Sequence, residues 1–424
     1  MAGSASPLDA DVAVVGGGAA GLCAAWFAAR AGSRVLLLEK NPQPGLKILI
    51  SGGGRCNLTT TKSGRELEEE YGRRRGRWLR HALRAFPPAA LRAFVQDAGV
   101  PLQEEDLDKV FPVSGRARDV LDALLRRLVE VGVTVQTEAA VRGVERTGGG
   151  FALRGERRSW TAARLVLCTG GLSYPKTGAT GDGYALCATL GHQRVATVPA
   201  LAPLRVGAPW VHELAGMTLP DVGLTLRDAE GVVVRRRRRP VLFTHKGLSG
   251  PGPMDLAGDV EERAQPCLLE LDFCPDMRAE ELDGSLVAAG RTTGRRSPAS
   301  CLPATVPERL RQVLARELGI TESVAALTRE HRRRLVGAVK GTELRVEASL
   351  GFAAAEVTRG GIPLDEVDPR TMESRCTPGL FVCGELLDID GPIGGFNFQA
   401  AFATGRLAGI SAGAPDAHRD AGVS

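Results

Sequence analysis

Residues 11–57 read DVAVVGGGAAGLCAAWFAARAGSRVLLLEKNPQPGLKILISGGGRCN, and this stretch decides the fold. Val12 to Val15 is a short apolar run that predicts a buried strand. Gly16, Gly18 and Gly21 follow in the spacing G-x-G-x-x-G. The first glycine permits the tight turn out of the strand. The second lets a pyrophosphate approach the backbone, and the third lets the next helix pack close to the sheet. Ala19 and Ala20 open that helix, which should run to Arg30. Its N-terminus offers free N–H groups and a positive dipole end to a phosphate. Val35 to Leu38 reads as a second buried strand, and Glu39 ends it. A carboxylate there accepts hydrogen bonds from an adenosine ribose and repels a 2′-phosphate. The glycine pattern alone is weak. Between a strand and a helix, with an acid closing the next strand, it predicts a dinucleotide site.

The second half of the stretch selects the dinucleotide. Ser51, Gly52, Gly53, Gly54, Arg55, Cys56 and Asn57 form a second glycine cluster, foreign to a plain NAD fold. It suits a backbone wrapping an isoalloxazine ring or the other side of the pyrophosphate, which points to FAD. Lys40 and Lys47 are further candidate contacts, and Arg55 or Lys47 would offset phosphate charge. Thr169, Gly170 and Gly171 follow the apolar run 164–168, and a glycine pair at a strand end admits a cofactor. Gly384 and Glu385 follow the run 380–383, where a carboxylate would meet the ribityl chain, with Asp388 just beyond. Gly394, Gly395, Asn397, Gln399 and Ala400 lead into a final helix whose N-terminus would stabilise the reduced flavin.

Several long segments carry a family resemblance: GGGAAG, KILISGGGRCN, TGGLSYPKTGATGDGY at 169–184, LFTHKGLSGP at 242–251, and the run from Thr358 to Gly405. Together they span nearly the whole chain. The sequence resembles the bacterial flavoproteins of the BaiN/RdsA type, NAD(P)/FAD-dependent oxidoreductases. The resemblance implies an adenine contact through the backbone of Val141. It also implies reduction of an activated C=C bond, either in enone-like small molecules or in uridine of ribosomal RNA.

The 424 residues allow two or three domains. The expected fold class is α/β: a Rossmann-like FAD-binding domain with a mostly parallel sheet, interrupted by an inserted β-barrel-like and helical domain. The expected bounds are a tail at 1–10, FAD-binding parts at 11–191 and 346–411, an inserted substrate lobe at 192–345, and a second tail at 412–424. Residues 64–118 read as mostly helical and charged, broken at prolines. No apolar run is long enough to cross a bilayer, and the N-terminus lacks the pattern of a signal peptide, so a cytoplasmic protein is expected. Nine cysteines without a C-x-x-C pair fit a reducing compartment, and no metal spacing is visible.

Net charge is only +5, yet arginine is clustered at 73–80, at 235–239 and at 332–334. These clusters are either ordinary solvated surface or a phosphate-tracking surface for RNA. No DNA or membrane partner is expected, and nothing in the residues speaks to oligomeric state. Cys56 and His245 are the candidate catalytic residues: the first as proton donor beside the flavin, the second facing it from the inserted domain. For each, plain packing is the alternative reading. Three functions compete: an FAD-dependent C=C reductase, an FAD-dependent oxidase of a small amine or carbonyl compound, and a non-catalytic FAD-bearing binding protein. One dinucleotide signature is present and no second, so any NAD(P)H would bind transiently as electron donor.

Overall fold

The computed structural model describes residues 8–263, 266–292 and 294–414. The expected tails lie mostly outside these residues. Where they are described, regular structure already begins at Ala10 and continues to Gly413. Contacts divide the chain into two units: Met1–Val198 with Glu356–Ser424, and Pro199–Ala355. The bounds read from sequence, 192 and 345, both fall earlier in the chain.

The first unit is built on a mixed, mainly parallel sheet. β1 (Ala10–Val15) lies between β2 (Val35–Leu38) and the long strand β6 (Ser159–Leu167), parallel to both. β3 (Thr134–Gln136) extends the sheet beyond β2, again in parallel. β4 (Gly143–Thr147) and β5 (Gly150–Arg154) add antiparallel strands at the other side. Besides β1, β6 serves two partners on its other edge. Its first half pairs with β5, and its last residues pair in parallel with β7 (Leu380–Val382), Leu165 opposite Leu380 and Leu167 opposite Val382. β1 and β2 are apolar because both faces are covered: Val12, Ala13 and Val14 are fully buried, as is Leu37.

Four helices matter for the site. α1 (Ala19–Arg30) follows β1, and α2 (Leu46–Gly54) follows β2. α3 (Arg73–Ala85) buries Gly76, Leu79, Ala82 and Leu83 and exposes its arginines except Arg75, which turns in toward Asp388 and Asp390. α4 (Phe396–Gly413) ends the described chain. α1 and α4 lie against each other through small residues at matched spacing. A Cβ on Gly405 would sit 2.4 Å from the Ala20 carbonyl oxygen, and one on Gly409 would sit 2.3 Å from that of Ala24. The pairing continues with Gly413 at Ala28. The order of these pairs makes the two helices parallel, so their N-termini face the same way.

The charged stretch 64–118 differs from its helical expectation. Leu102–Glu105 and Lys109–Pro112 form a hairpin, joined by Thr59–Thr60 in a three-stranded sheet. Leu107 and Asp108 take the left-handed conformation at its turn.

The second unit is a closed antiparallel barrel. Its strands run in the order Leu204–Val206, Gly247–Ser249, Val233–Thr244, Thr218–Arg227, Cys267–Asp272 and Thr342–Ser349, the last returning to the first. Helices Pro251–Glu261, Ala279–Thr292, Glu308–Glu317 and Arg329–Lys340 share its core with Leu224, Phe243, Leu269 and Val346. Among the described residues, no helix is long and apolar enough to cross a membrane.

Candidate cofactor site

The three glycines of the β1–α1 turn meet three different environments. Gly16 has φ 111°, and a Cβ on it would lie 2.6 Å from the Cys168 carbonyl oxygen. A Cβ on Gly21 would lie 1.8 Å from the carbonyl oxygen of Gly16, so α1 can approach the turn only without one. Gly18, between them, faces open space, with nothing within 4 Å of such an atom. The crowded glycines let the turn close, and the uncrowded one keeps a cradle clear at the N-terminus of α1. That is where a pyrophosphate belongs. Ala19 and Ala20 form the first turn behind it.

Glu39 ends β2, nearly buried, with one carboxylate oxygen accepting from the Gly17 N–H at 2.7 Å. The other accepts from the Asn41 N–H at 2.8 Å and the Asn41 side-chain amide at 2.7 Å. The acid is therefore held rigidly against the glycine turn. Val141 is buried after β3, in the segment leading to β4.

The second glycine cluster is not a helix in its conformation. Ser51 is extended, and Gly52 and Gly53 are left-handed, so α2 unwinds after Ile50 into a loop. The cations around it are engaged within the chain. Arg55 bonds to Glu105 and lies 4.2 Å over the Phe111 ring. That partnership holds the Glu105 carboxyl below the usual carboxylate range. Lys40 bonds Asp182 at 2.6 Å, and Lys47 donates to Ser173 at 2.6 Å and pairs with Glu385. The expectation that Arg55 or Lys47 offsets phosphate charge thus meets a structure in which acids of the same unit already do that for them.

Around Glu385 the structure assembles a group that the sequence reading missed. The Ser173 hydroxyl donates to one Glu385 oxygen at 2.6 Å, and the Thr358 N–H donates to the same oxygen at 3.0 Å. Thr358 Oγ1 accepts from the N–H groups of Leu172 at 2.7 Å and Ser173 at 3.1 Å. Thr169, Gly170 and Gly171 lead from β6 into this knot, and a Cβ on Gly171 would strike Thr358 Oγ1 at 2.3 Å. The available signals were Ser173 two residues after the glycine pair and Thr358 two residues before Gly360.

Three further candidates make contacts within the fold. Asn397 clasps Gly391, accepting from its N–H and donating to its carbonyl, both at 2.9 Å. Gln399, fully buried, donates to the Phe86 carbonyl and accepts from the Thr59 hydroxyl, both at 2.7 Å. Asp388 pairs with Arg75 at 2.7 Å, and Arg75 reaches on to Asp390 at 2.9 Å, which Arg359 also holds. Their side chains are spent within the fold, and what they position is backbone. Gly394 and Gly395 have positive φ, and a Cβ on Gly395 would lie 2.2 Å from the Thr59 carbonyl oxygen. Gly395 caps α4, and Ala400 is buried one turn along. Gly384 is pressed against Ala20 in α1. Asn57, with its amide oriented to suit both neighbours, accepts from the Gly395 N–H and donates to the Thr59 carbonyl.

Cys56 is left-handed and buried, and burial pushes its thiol up to about 12. His245 belongs to the barrel unit and is exposed at the tip of the turn between strands Val233–Thr244 and Gly247–Ser249.

A Rossmann-type sheet with an open pyrophosphate cradle, an acid closing the second strand and a parallel C-terminal helix packed on the first defines a flavin-adenine-dinucleotide protein. The residues fit FAD: the space is kept at Gly18, and the donors beside it are backbone N–H groups. The chain belongs to the HI0933-like family, whose Rossmann-domain model matches residues 10–411. It is 31% identical over 402 residues to an Escherichia coli ribosomal RNA dihydrouridine synthase, covering 93% of this chain and 96% of that protein. It is also 31% identical over 412 residues to a 3-dehydro-bile acid delta(4,6)-reductase of Clostridium scindens, covering 95% and 98%. The resemblance read from KILISGGGRCN and its companions is therefore the right one. A 3-ketosteroid delta1-dehydrogenase structure from Sterolibacterium denitrificans shares the fold, with TM-score 0.50 and 15% identity over 95% of this chain and 99% of that one.

Proposed function

We propose that the protein is an FAD-dependent reductase of a C=C bond conjugated to a carbonyl, with uridine of ribosomal RNA as substrate and an enone-like small molecule as the second reading. The observation that carries this is the near-full-length kinship to two reductases of unlike substrates. A uracil C5=C6 bond and a steroid enone share one reactive feature, a double bond polarised by a carbonyl. The bound flavin supplies hydride to the carbon remote from that carbonyl, and the neighbouring carbon takes a proton.

The chain's residues hold and orient. The N–H groups at Gly18, Ala19 and Ala20 would take the pyrophosphate, and Glu39 the adenosine ribose. Glu385, fixed by Lys47, Ser173 and Thr358, would take the ribityl chain. The α4 N-terminus at Gly395 would face the flavin edge that gains charge on reduction. Cys56 serves this reading as packing, because a buried thiol pushed up to about 12 yields its proton poorly.

The RNA reading draws on arginines that remain exposed. Arg75, Arg235 and Arg239 are committed to Asp388, Asp259 and Asp255, and Arg332 to Asp283. Arg73, Arg77, Arg236, Arg333 and Arg334 stay exposed. An RNA substrate of this kind would place the protein in the cytoplasm. The test gives the purified holoprotein NADH or NADPH with an unmodified ribosomal RNA transcript, or with a conjugated enone, and reads products by mass spectrometry. A uridine gaining two hydrogens supports the RNA reading, and binding should then weaken by about 0.7 log units per phosphate contact for each tenfold rise in salt. Reduction of the enone alone supports the second reading. Reduction of neither, with oxygen-dependent turnover of an amine, overturns both.

A further inference from the structure

His192, Glu366 and Cys376 come together away from the cofactor cradle. Their ligand atoms, one ring nitrogen, one carboxylate oxygen and the Sγ, all lie within 4.8 Å of one another. His192 Nδ1 is 2.7 Å from Glu366 Oε2, although the two residues are 174 positions apart in sequence. That separation is why no metal spacing was visible. We propose that these three side chains form a binding site for a borderline divalent transition metal, of which zinc is the type, with its fourth position open to solvent.

Three features make this a built site. The first is the donor set. Imidazole, carboxylate and thiolate together suit zinc or cobalt and do not suit magnesium or calcium, which take oxygen. The second is outer support, which ligands need to hold their orientation. His192 Nε2 lies 2.7 Å from the Ser374 hydroxyl, leaving Nδ1 directed at Glu366. The same hydroxyl accepts from the N–H groups of Cys376 at 3.0 Å and Thr377 at 2.9 Å, which fixes the turn bearing the thiol. The Gln193 N–H donates to Glu366 Oε2 at 3.1 Å, and the Thr377 hydroxyl donates to the Leu190 carbonyl at 2.7 Å. The third is access. His192 is buried, but Cys376 is exposed, so a hydrated ion can arrive from one side.

Binding balances simply. Cys376 loses its thiol proton to solvent, Glu366 binds as carboxylate, His192 shifts its ring proton from Nδ1 to Nε2 and binds as neutral imidazole through Nδ1, and one water fills the open position. Two ligand charges then neutralise the ion. The ligand atoms must draw inward, since zinc holds nitrogen and oxygen at about 2.0–2.2 Å and sulfur at about 2.3 Å. The ion would tie the segment after helix Asp182–Thr189 to the loop 364–377, two stretches already joined by hydrogen bonds and a shared core. Its role is a staple, independent of the reductase reading.

The test uses the chelator-treated holoprotein titrated with Co²⁺ and then with Zn²⁺. Wild type should bind one equivalent of Co²⁺ with tetrahedral d–d bands to the red of the flavin and a thiolate charge-transfer band, both lost on adding Zn²⁺. Cys376→Ser should lose the charge-transfer band and more than about a hundredfold in affinity, beyond the cost of an outer partner. Glu366→Gln should weaken binding while FAD content stays unchanged. Absence of the bands in wild type overturns the proposal. So does an undiminished thiolate band in Cys376→Ser, because another of the cysteines would then be the ligand.

Discussion

At the residue scale, Gly18 and Gly21 separate cofactor binding from folding. Gly18→Ala places a methyl group where no protein atom is near, so the apoprotein should melt as wild-type apoprotein does, while FAD retention falls sharply. Gly21→Ala forces a methyl group onto the Gly16 carbonyl and should destabilise the fold itself, by more than the about 1–3 kcal/mol usual for overpacking. Thermal melting with and without FAD, alongside flavin absorbance, distinguishes the two. If Gly18→Ala kept its FAD, the pyrophosphate assignment would be wrong. The buried thiols give a second expectation. Cys56 and Cys187 are both pushed up from 9.0 to about 12 by burial. Above pH 9 the unfolded chain releases these protons and the folded chain keeps them. Stability from this source is therefore whole below pH 9 and falls as pH rises toward about 12, by about 1.4 kcal/mol per pH unit per thiol. Urea midpoints measured through this range should drop, and Cys56→Ala should make the drop shallower.

At the element scale, α1 and α4 run parallel and in close contact, with the N-terminus of α4 reaching beyond that of α1. Closeness depends on Gly405, Gly409 and Gly413 meeting the backbone at Ala20, Ala24 and Ala28. Gly409→Ala should cost about 1–3 kcal/mol and lower FAD retention by moving α4. Gly284→Ala is the control. It lies in an exposed helix position with open space around it and should be neutral or slightly stabilising. Equal melting shifts for the two would show that the helix contact carries no strain. The small residues at four-residue spacing were visible in the sequence, but nothing there says that two helices nearly 400 residues apart face each other. The β1–α1–β2 unit was legible because each glycine's demand is local and the acid follows at once. The hairpin Leu102–Glu105 and Lys109–Pro112 was not. Leu, Gln and Glu favour helices, and the strand that decides otherwise, Thr59–Thr60, comes from elsewhere. The arginine run 235–239 is divided by the structure between paired and exposed side chains, which its sequence alone does not show. Its strand alternates, and Asp255 and Asp259, one helical turn apart on Pro251–Glu261, take up Arg239 and Arg235.

At the scale of the whole molecule, the two units hold separate cores, and the cofactor cradle belongs wholly to the first. Every candidate contact from Gly16 to Gly171 and from Gly384 to Ala400 lies in it, and so does each side chain that orients them. The chain leaves and returns on paired strands, Val195–Ala200 and Val357–Gly361. A Cβ on Gly360 would lie 2.2 Å from the Ala196 carbonyl oxygen, so the two crossings are neighbours. Replacing residues 201–355 with a flexible Gly/Ser linker of about ten residues spans roughly 17 Å, ample for this gap. The shortened protein should purify yellow and release FAD on denaturation, because it keeps the sheet, both helix ends and Glu39. It should have lost turnover if the barrel unit is the substrate lobe that the sequence reading expects at 192–345. A soluble, folded but colourless product would show that the barrel is needed to shape the cradle. Retained turnover would show that the first unit alone recognises the substrate, and would remove His245 from any part in the chemistry.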